Sequence, residues 1–162
     1  MTRASFVRIT FAVGVLTLAL ATSANAQTPT PTPGGPFKFF AVTPCRVVDT
    51  RGTTGVNGGP SMPAGTTRTF TIKGMCGVPL TAQAASLNVT IAGPTSGGFL
   101  TLWPAGANKP VVSTINWAIG EIAIANGAIV PLASSATLDL SVFEGGRAGQ
   151  TDVVLDVTGY FQ

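Results

Sequence analysis

Apolar and polar side chains alternate with a period of two through much of the chain. Leu87, Val89 and Ile91, for example, are separated by polar residues. Successive side chains of a β-strand point to opposite sides of the sheet, so this period predicts strands with one buried face. The clearest runs of this alternation are residues 66–72, 86–91, 137–143 and 153–158.

Glycine and proline separate these segments from further short apolar runs, which we also expect to be strands. These further runs are residues 37–42, 99–103, 111–117, 122–125 and 128–132. The pair Asn126-Gly127 is a strong signal for a two-residue hairpin turn, because both residue types tolerate the positive φ angles that such a turn needs. We therefore expect a hairpin between the last two runs.

The number and spacing of the predicted strands indicate the fold class. About nine short strands, with frequent Gly and Pro between them and no convincing amphipathic helix, favour an all-β fold, an antiparallel β-sandwich or jelly roll. Residues 37–162 are long enough for a single domain with one core. Residues 52–65 contain five glycines, two prolines and one asparagine, and we interpret them as a solvated surface loop.

The N-terminal residues have the features of a secretory signal peptide. Arg3 and Arg8 flank the start of an apolar run at residues 9–20, and residues 24–26 (Ala-Asn-Ala) fit an A-x-A cleavage site. A membrane anchor is the competing interpretation, but the run is shorter than the ~20 residues of a spanning helix. We therefore expect residues 1–26 to be removed, leaving no membrane span, and the protein to be secreted (extracellular, periplasmic or at the cell surface).

Removal of this leader leaves a Pro/Thr-rich tail and a nearly neutral domain. Residues 27–36 alternate Thr and Pro and end in Gly-Gly-Pro, which predicts a flexible extended tail. The whole chain has nine Lys+Arg and six Asp+Glu, and the loss of Arg3 and Arg8 leaves seven against six, a net charge of +1. No Lys/Arg-rich run remains, so we expect neither nucleic acid nor an anionic membrane surface as a partner.

The expected location also determines how we interpret the two cysteines, Cys45 and Cys76. Oxidising compartments favour disulfides and the number of cysteines is even, so we predict a bond between these two residues. In the chain-entropy model, a loop of this size stabilises the fold by about 3–4 kcal/mol. The alternative is a pair of separate buried thiols.

Residues 43–51 concentrate a cysteine, two arginines and a carboxylate in a chain that is only 9% charged. Arg46, Asp49 and Arg51 lie near the start of the domain, and Asp156 lies near its end, in an apolar strand where an unpaired charge would be costly. We predict that Asp156 pairs with Arg46 or Arg51 and ties the first and last strands together. The alternative, from plain alternation, is that Asp156 faces solvent at an edge.

The residue types restrict the chemistry that the chain can perform. It has no histidine, and a disulfide would leave no free thiol, which argues against His-dependent nucleophilic catalysis and the commonest zinc ligand set. The six carboxylates show no spacing that selects a catalytic pair for glycoside hydrolysis. No calcium-binding loop of the D-x-D-x-D-G type is present. We expect a protein that is not an enzyme and has neither a cofactor nor a metal.

The two tryptophans, Trp103 and Trp117, permit two interpretations. If they are exposed on one face, they form a platform for a sugar ring, with Asn116, Asn108 and Lys109 supplying hydrogen bonds. If they are buried, they are the largest side chains of the core. Tryptophan is mostly buried in folded proteins, so we favour the core.

Several motifs of the chain occur in a recognisable order. Residues 43–51 fit T-P-x-R-x-x-D-T-R, and residues 156–161 fit D-V-x-G-Y-F. Between them lie L-N-V-T, L-W-P-A-G, S-T-I-N and A-N, at residues 87–90, 102–106, 113–116 and 125–126. Together these motifs resemble a widespread family of secreted bacterial β-domains, and the resemblance covers essentially the whole mature domain. It implies an accessory or surface module with undefined ligands, either appended to secreted hydrolases or standing alone.

Our first functional hypothesis is a non-catalytic secreted structural or interaction module at the bacterial cell envelope or in the extracellular matrix. Its partner would be an envelope or extracellular protein or polysaccharide, or a second copy of the chain. In one form of self-association, residues 37–42 add as a strand to a neighbouring subunit and build a fibre. The alternative hypothesis is a carbohydrate-binding module for envelope or other polysaccharide.

Overall fold

Nine strands make up the regular structure of residues 35–135 and 137–162, which are the residues that the computed structural model describes. The strands are β1 (Phe39–Asp49), β2 (Met62–Pro63), β3 (Thr67–Phe70), β4 (Ala84–Ala92), β5 (Gly98–Pro104), β6 (Ile115–Trp117), β7 (Ala123–Pro131), β8 (Leu140–Glu144) and β9 (Gln150–Phe161). The expected signal peptide at residues 1–26, and all but the end of the expected tail at residues 27–36, lie outside the described residues.

The strands form two antiparallel sheets, which confirms the predicted all-β sandwich. The first sheet has the order β1-β9-β4-β7, with β2 also paired to β9, and the second has the order β3-β8-β5-β6. The first and last long strands are therefore neighbours, although they lie at opposite ends of the domain in sequence. Consecutive strands are often in different sheets, which lets both sheets contribute to one core.

The core lies between the sheets and follows the alternation seen in the sequence. In β4, Leu87, Val89 and Ile91 are buried, and the residues between them are partly exposed. Leu155 of β9 joins them from the first sheet, and Leu100 of β5 packs from the second. A fully buried aliphatic side chain of this size stabilises a fold by about 1.5–3 kcal/mol relative to an exposed one, so this shared core holds the sandwich together.

The hairpin predicted at Asn126-Gly127 is wrong. Both residues lie inside β7, which pairs with β4 without interruption, and Gly127 is opposite Asn88. The long strand β4 offers a partner to every residue of β7, and this pairing outweighs the local turn preference. The Asn126 side chain instead donates a hydrogen bond to the Thr114 carbonyl (2.8 Å), which links β7 to the segment before β6.

Other strand boundaries also differ from the prediction. The strand predicted at residues 111–117 is reduced to β6, Ile115–Trp117. Residues 37–42 do not end at a break, because β1 continues through the Thr43-Pro44 step to Asp49, with shifts of register on the way. Phe39 and Phe40 pair with the end of β9 in the same chain, so the segment expected to act as a donor strand for a neighbouring subunit is already used within its own sheet.

The glycine-rich loop at residues 52–65 lies at the surface as predicted, with most of its residues exposed, but specific hydrogen bonds also hold it in place. Arg68 of β3 donates a hydrogen bond to the Pro60 carbonyl (2.6 Å). The side chain of Asn57 donates to the Val47 carbonyl (2.9 Å). Part of the loop forms β2, which pairs with β9. The loop is therefore fixed to both sheets, by hydrogen bonds that residue composition does not reveal.

Candidate binding groove

The outward face of the second sheet carries aromatic and hydroxyl side chains. On β5, Leu100 and Leu102 enter the core. Alternate residues of a strand point to opposite faces, so Phe99, Thr101 and Trp103 lie on the side away from the core. Two aromatic residues, Phe99 and Trp103, therefore lie on the outward face of the second sheet.

Neighbouring strands extend this face. Asn116 of β6 is opposite Phe99, and Phe143 of β8 is opposite Thr101. The rings of Phe99 and Phe143 are 6.1 Å apart in an edge-to-face arrangement. The Phe99 ring also lies against Gly145, where an added Cβ would overlap with the ring. The position of Phe99 therefore depends on a glycine in the turn after β8.

The loop of residues 105–114 folds over part of this face. The indole N–H of Trp103 donates a hydrogen bond to the Ala107 carbonyl (3.0 Å), and the Thr101 hydroxyl donates to the Val112 carbonyl (2.6 Å). These two bonds hold the loop against β5 at both of its ends. The loop consequently covers Trp103 and leaves Phe99 at its margin.

An open groove of about 340 Å³ lies between this loop and the outward face of the sheet. The lining residues are Phe99, Thr101, Lys109, Pro110, Val111, Val112, Ser113 and Asn116. Ligand sites are typically about 300–1,000 Å³, mostly apolar, with a few polar groups that orient the ligand. The groove has this composition, and we refer to it below as the Phe99 groove.

Three polar side chains of the Phe99 groove retain hydrogen-bonding capacity. Asn116 Nδ2 donates to Ser113 Oγ (2.9 Å), which leaves Asn116 Oδ1 and the Ser113 hydroxyl hydrogen without a partner among the described residues. Lys109 Nζ lies 3.6 Å from the centroid of the Phe143 ring and forms no ion pair with any described carboxylate. The groove therefore offers an acceptor, several donors and one positive charge beside an apolar wall.

The structure decides between the two interpretations of the tryptophans. Trp103 and Trp117 are each only 7% exposed, so the exposed platform is wrong and both are buried. Trp103 lies beneath the loop of residues 105–114, whereas Trp117 belongs to the core and donates its indole N–H to the Ser96 carbonyl (2.8 Å). Neither ring presents a face to a ligand.

Of the other residues assigned to sugar binding from the sequence, Lys109 and Asn116 line the Phe99 groove. Asn108 is exposed in the loop of residues 105–114 but does not line the groove. Phe99 was not among the residues predicted from the sequence. Its outward position follows from alternation, because Phe99 lies two residues from the polar Thr101 and next to the apolar Leu100.

The charged residues of the segment 43–51 form a cluster on the outward face of the first sheet. Arg46 donates from Nε to Asp156 Oδ1 (2.9 Å) and from a second guanidinium nitrogen to Oδ2 (3.2 Å). This is the link predicted between the first and last strands, and it is partly exposed, with 51% of the Arg46 side chain accessible. Arg51 pairs with Asp49 instead (2.7 Å), and its hydrogen bond lowers the pKa of Asp49 to about 2.

The predicted disulfide between Cys45 and Cys76 is confirmed, with the two Cα atoms 5.6 Å apart. Cys45 lies in β1, at one end of the first sheet, and Cys76 lies in the loop after β3. The bond therefore joins strands of different sheets through this loop. It also places the loop beside the edge strand β1.

Two carboxylates that the sequence analysis left without a role are buried. Asp139 accepts hydrogen bonds from the backbone N–H groups of Ile72 (3.1 Å) and Lys73 (2.9 Å), and burial raises its pKa. Burial also raises the pKa of Glu144, whose Oε2 has no hydrogen-bond partner among the described residues. Neither residue lines the Phe99 groove. Their burial was not readable from the sequence, because Asp139 occupies a polar position of the alternating run 137–143 and Glu144 directly precedes the Gly145-Gly146 pair.

Within residues 35–135 and 137–162, no three His, Cys, Asp or Glu side chains are grouped as metal ligands. The same residues contain no helix with the length and apolar character of a membrane span.

Comparison with known proteins does not assign a family. No protein-family model matches the chain, and no curated protein matches it either. The resemblance to secreted bacterial β-domains therefore stays a prediction.

Proposed function

We propose that this protein is a non-catalytic, secreted interaction module of the bacterial cell envelope or extracellular matrix, and that it binds its partner in the Phe99 groove. The observation that supports this proposal is the groove itself. It combines an aromatic wall, three polar side chains and a loop held in place by hydrogen bonds. Sites built on such fixed elements lose little entropy when they bind.

The contacts of the acidic residues support a non-catalytic role. Four of the six carboxylates already serve the fold: Asp49 and Asp156 pair with arginines, Asp139 accepts backbone N–H groups, and Asp152 accepts from the Thr50 hydroxyl. A catalytic carboxylate pair needs two groups facing one substrate-sized space. The Phe99 groove, which is such a space, is lined by no carboxylate.

The disulfide supports a location outside the cytoplasm. Such bonds form and persist in oxidising compartments and are rare in the cytosol. The leader pattern of residues 1–26 agrees with this location, because a signal peptide directs a chain to export. Together they favour the envelope or the extracellular space as the place of action.

A polysaccharide is the second candidate ligand, and the Phe99 groove favours it by its chemistry. Sugar rings present apolar C–H faces and hydroxyl edges, which match an aromatic wall beside hydrogen-bonding groups. Phe99 supplies that wall, and Asn116 and Ser113 supply an acceptor and a donor next to it. Lys109 would add affinity for a glycan that carries carboxylates, such as peptidoglycan. This assignment moves the sugar site from the tryptophans to the groove.

Binding to insoluble glycans tests both candidates. The oxidised protein is incubated with peptidoglycan, cellulose and chitin, beside the variants Phe99→Ala and Asn116→Ala. Asn108→Ala is the matched control, because Asn108 is exposed in the same region but does not line the groove. Binding that both groove variants lose and the control retains would establish the polysaccharide site.

Gly145→Ala provides an independent disturbance of the same site. The added methyl group overlaps with the Phe99 ring and must displace it, although no lining residue is changed. We therefore expect this variant to weaken glycan binding as Phe99→Ala does.

If the wild type binds none of the three glycans, the polysaccharide candidate fails, and chemical cross-linking from Lys109 to envelope proteins becomes the test of the general proposal. Equal binding by all variants would place the site outside the groove.

A further inference from the structure

Strand β7 has an open edge. It lies at the end of the strand order β1-β9-β4-β7, and β4 occupies one of its two edges along its full length. No strand of the described residues pairs with the other edge. A free strand edge presents unpaired backbone N–H and C=O groups, which is a template for another strand.

The hydrogen bonds at the two ends of β7 show which groups point outward. The Ile122 carbonyl accepts from the Gly93 N–H (2.8 Å), and the Leu132 N–H donates to the Gln83 carbonyl (2.8 Å). Bonded residues alternate in an antiparallel ladder, so the even-numbered residues between these ends face β4. The N–H and C=O groups of the odd-numbered residues point away from it, and these residues are Ala123, Ala125, Gly127 and Ile129.

This edge lacks the usual protection against pairing. Natural edges are blunted by charged side chains, bulges, short length or an inserted proline. β7 is nine residues long, contains no charged residue and pairs with β4 without a shift of register, and its proline, Pro131, is its last residue. The opposite end of the sheet is different, because β1 has register shifts, contains Pro44 and is bonded by its disulfide to a loop.

Exposed apolar side chains border the open edge. Ile129 on β7 is 65% exposed, and Ile122 just before β7 is 85% exposed. The Asn126–Thr114 hydrogen bond also brings the segment before β6 next to β7. A strand added at this edge would remove apolar surface from water in addition to forming backbone hydrogen bonds.

We propose that β7 pairs antiparallel with β7 of a second copy of this chain, so that the first sheets of two copies join into one continuous sheet. The absence of charge on β7 favours a second copy as the occupant, because two identical strands can then meet without like-charge repulsion. A two-fold axis makes the contact self-complementary, so the assembly closes at a dimer. Residues 39 and 40 already pair with β9 of the same chain, so the edge of β7, rather than residues 37–42, is open for self-association.

The outward residues define the register of this pairing. With a two-fold axis between the two copies of Asn126, Ala125 is opposite Gly127, and Ala123 is opposite Ile129. Every outward N–H and C=O of these residues then has a partner, and Pro131 lies beyond the paired span. A register with Gly127 opposite itself would place Pro131 opposite Ala123 and lose a donor, because proline has no N–H.

This inference goes beyond the proposed function and uses different groups. The dimer contact consists of the β7 backbone and its neighbouring apolar side chains, whereas ligand binding uses Phe99, Asn116, Ser113 and Lys109. Failure of one therefore does not imply failure of the other. A dimer would also present two grooves on one particle, which increases avidity for a repeating polymer.

Sedimentation velocity of the exported, oxidised protein over a wide range of concentrations tests the proposal. Ala125→Pro removes an outward N–H and leaves the bonds to β4, and Ile129→Lys introduces a charge beside the edge. We expect a reversible monomer–dimer equilibrium whose dissociation constant rises by about tenfold or more in each variant. Thr67→Lys is the control, because Thr67 is exposed on β3, an end strand of the other sheet, and its dissociation constant should match the wild type.

Three results would overturn the proposal. The first is a wild type that stays monomeric at every concentration. The second is a dimer that persists in both variants when their circular dichroism shows that they are folded. The third is an open-ended polymer, which a two-fold contact cannot build. Hydrogen exchange at the Ala125 amide tests whether a segment of the same chain covers the edge. Protection of this amide in a monomer would show that it does, and would contradict the proposal.

Discussion

Asp139 gives the sharpest test of how buried polar groups stabilise this sandwich. Its carboxylate is fully buried, at 0% exposure, and accepts hydrogen bonds from the backbone N–H groups of Ile72 and Lys73. Asp139→Ala leaves both of these buried N–H groups without an acceptor. Each unsatisfied buried group costs about 1–3 kcal/mol, so we expect the free energy of unfolding to fall by about 2–6 kcal/mol. That loss is a large part of the ~5–15 kcal/mol typical of a domain.

Asp139→Asn separates hydrogen bonding from charge. The asparagine oxygen still accepts from the backbone, so we expect this variant to lose less stability than Asp139→Ala. Burial raises the pKa of Asp139, so the folded state binds the proton more tightly than the unfolded state does. Its stabilising contribution is complete below the unfolded pKa and is lost as the pH rises through the folded pKa. The wild type should therefore lose stability relative to Asp139→Asn as the pH rises through that window.

Urea unfolding followed by tryptophan fluorescence measures these differences, because Trp103 and Trp117 are buried in the folded state. Glu121→Ala is the control, since Glu121 is exposed, and surface changes of this kind usually stay within about 0.5 kcal/mol. An Asp139→Ala variant as stable as this control would refute the argument. A difference between wild type and Asp139→Asn that does not change with pH would refute the part that concerns charge.

Three further predictions concern bonds and charges elsewhere in the fold. Replacing Cys45 and Cys76 together by Ser should lower the free energy of urea unfolding by about 3–4 kcal/mol, and an unchanged value would contradict the chain-entropy estimate. A double-mutant cycle with Arg46→Gln and Asp156→Asn should give a coupling of only about 0.5–1 kcal/mol that decreases with salt, because the arginine is half exposed. Burial raises the pKa of Glu144, so Glu144→Gln should gain stability relative to the wild type between acidic and neutral pH, and a parallel pH profile would count against this.

Features that residue types or a local sequence pattern specify were predictable. The strands with a period of two, such as β4 and β9, appear where the alternation places them, because burial of one face determines both pattern and structure. The Cys45–Cys76 bond was predictable because only one pairing exists. The link between Arg46 and Asp156 followed from the cost of an isolated charge in an apolar strand.

Features that depend on long-range pairing through the backbone were not predictable in the same way. Asn126-Gly127 has the local preference of a turn, but it lies in a strand because β4 pairs with it along the whole of β7. Burial of Trp103 was predicted, but its place beneath a loop was not, because that place depends on the path of the loop, which a hydrogen bond to the Ala107 carbonyl fixes. Backbone carbonyls are present at every residue, so no residue type marks them as partners. The Phe99 groove, which the same loop forms, was therefore invisible to the sequence analysis.

The distribution of charge explains why recognition by this protein should rest on neutral groups. Most of its carboxylates are held by the fold as hydrogen-bond acceptors, and these are Asp49, Asp139, Asp152 and Asp156. Glu144 is buried, and of the six acidic residues only Glu121 is exposed. A surface with so few free carboxylates has little charge with which to select a cationic partner, and at the Phe99 groove the single charge of Lys109 supplements the neutral contacts. The remaining means are aromatic contact with neutral hydrogen-bonding groups, which the Phe99 groove offers, and backbone pairing, which the open edge of β7 offers.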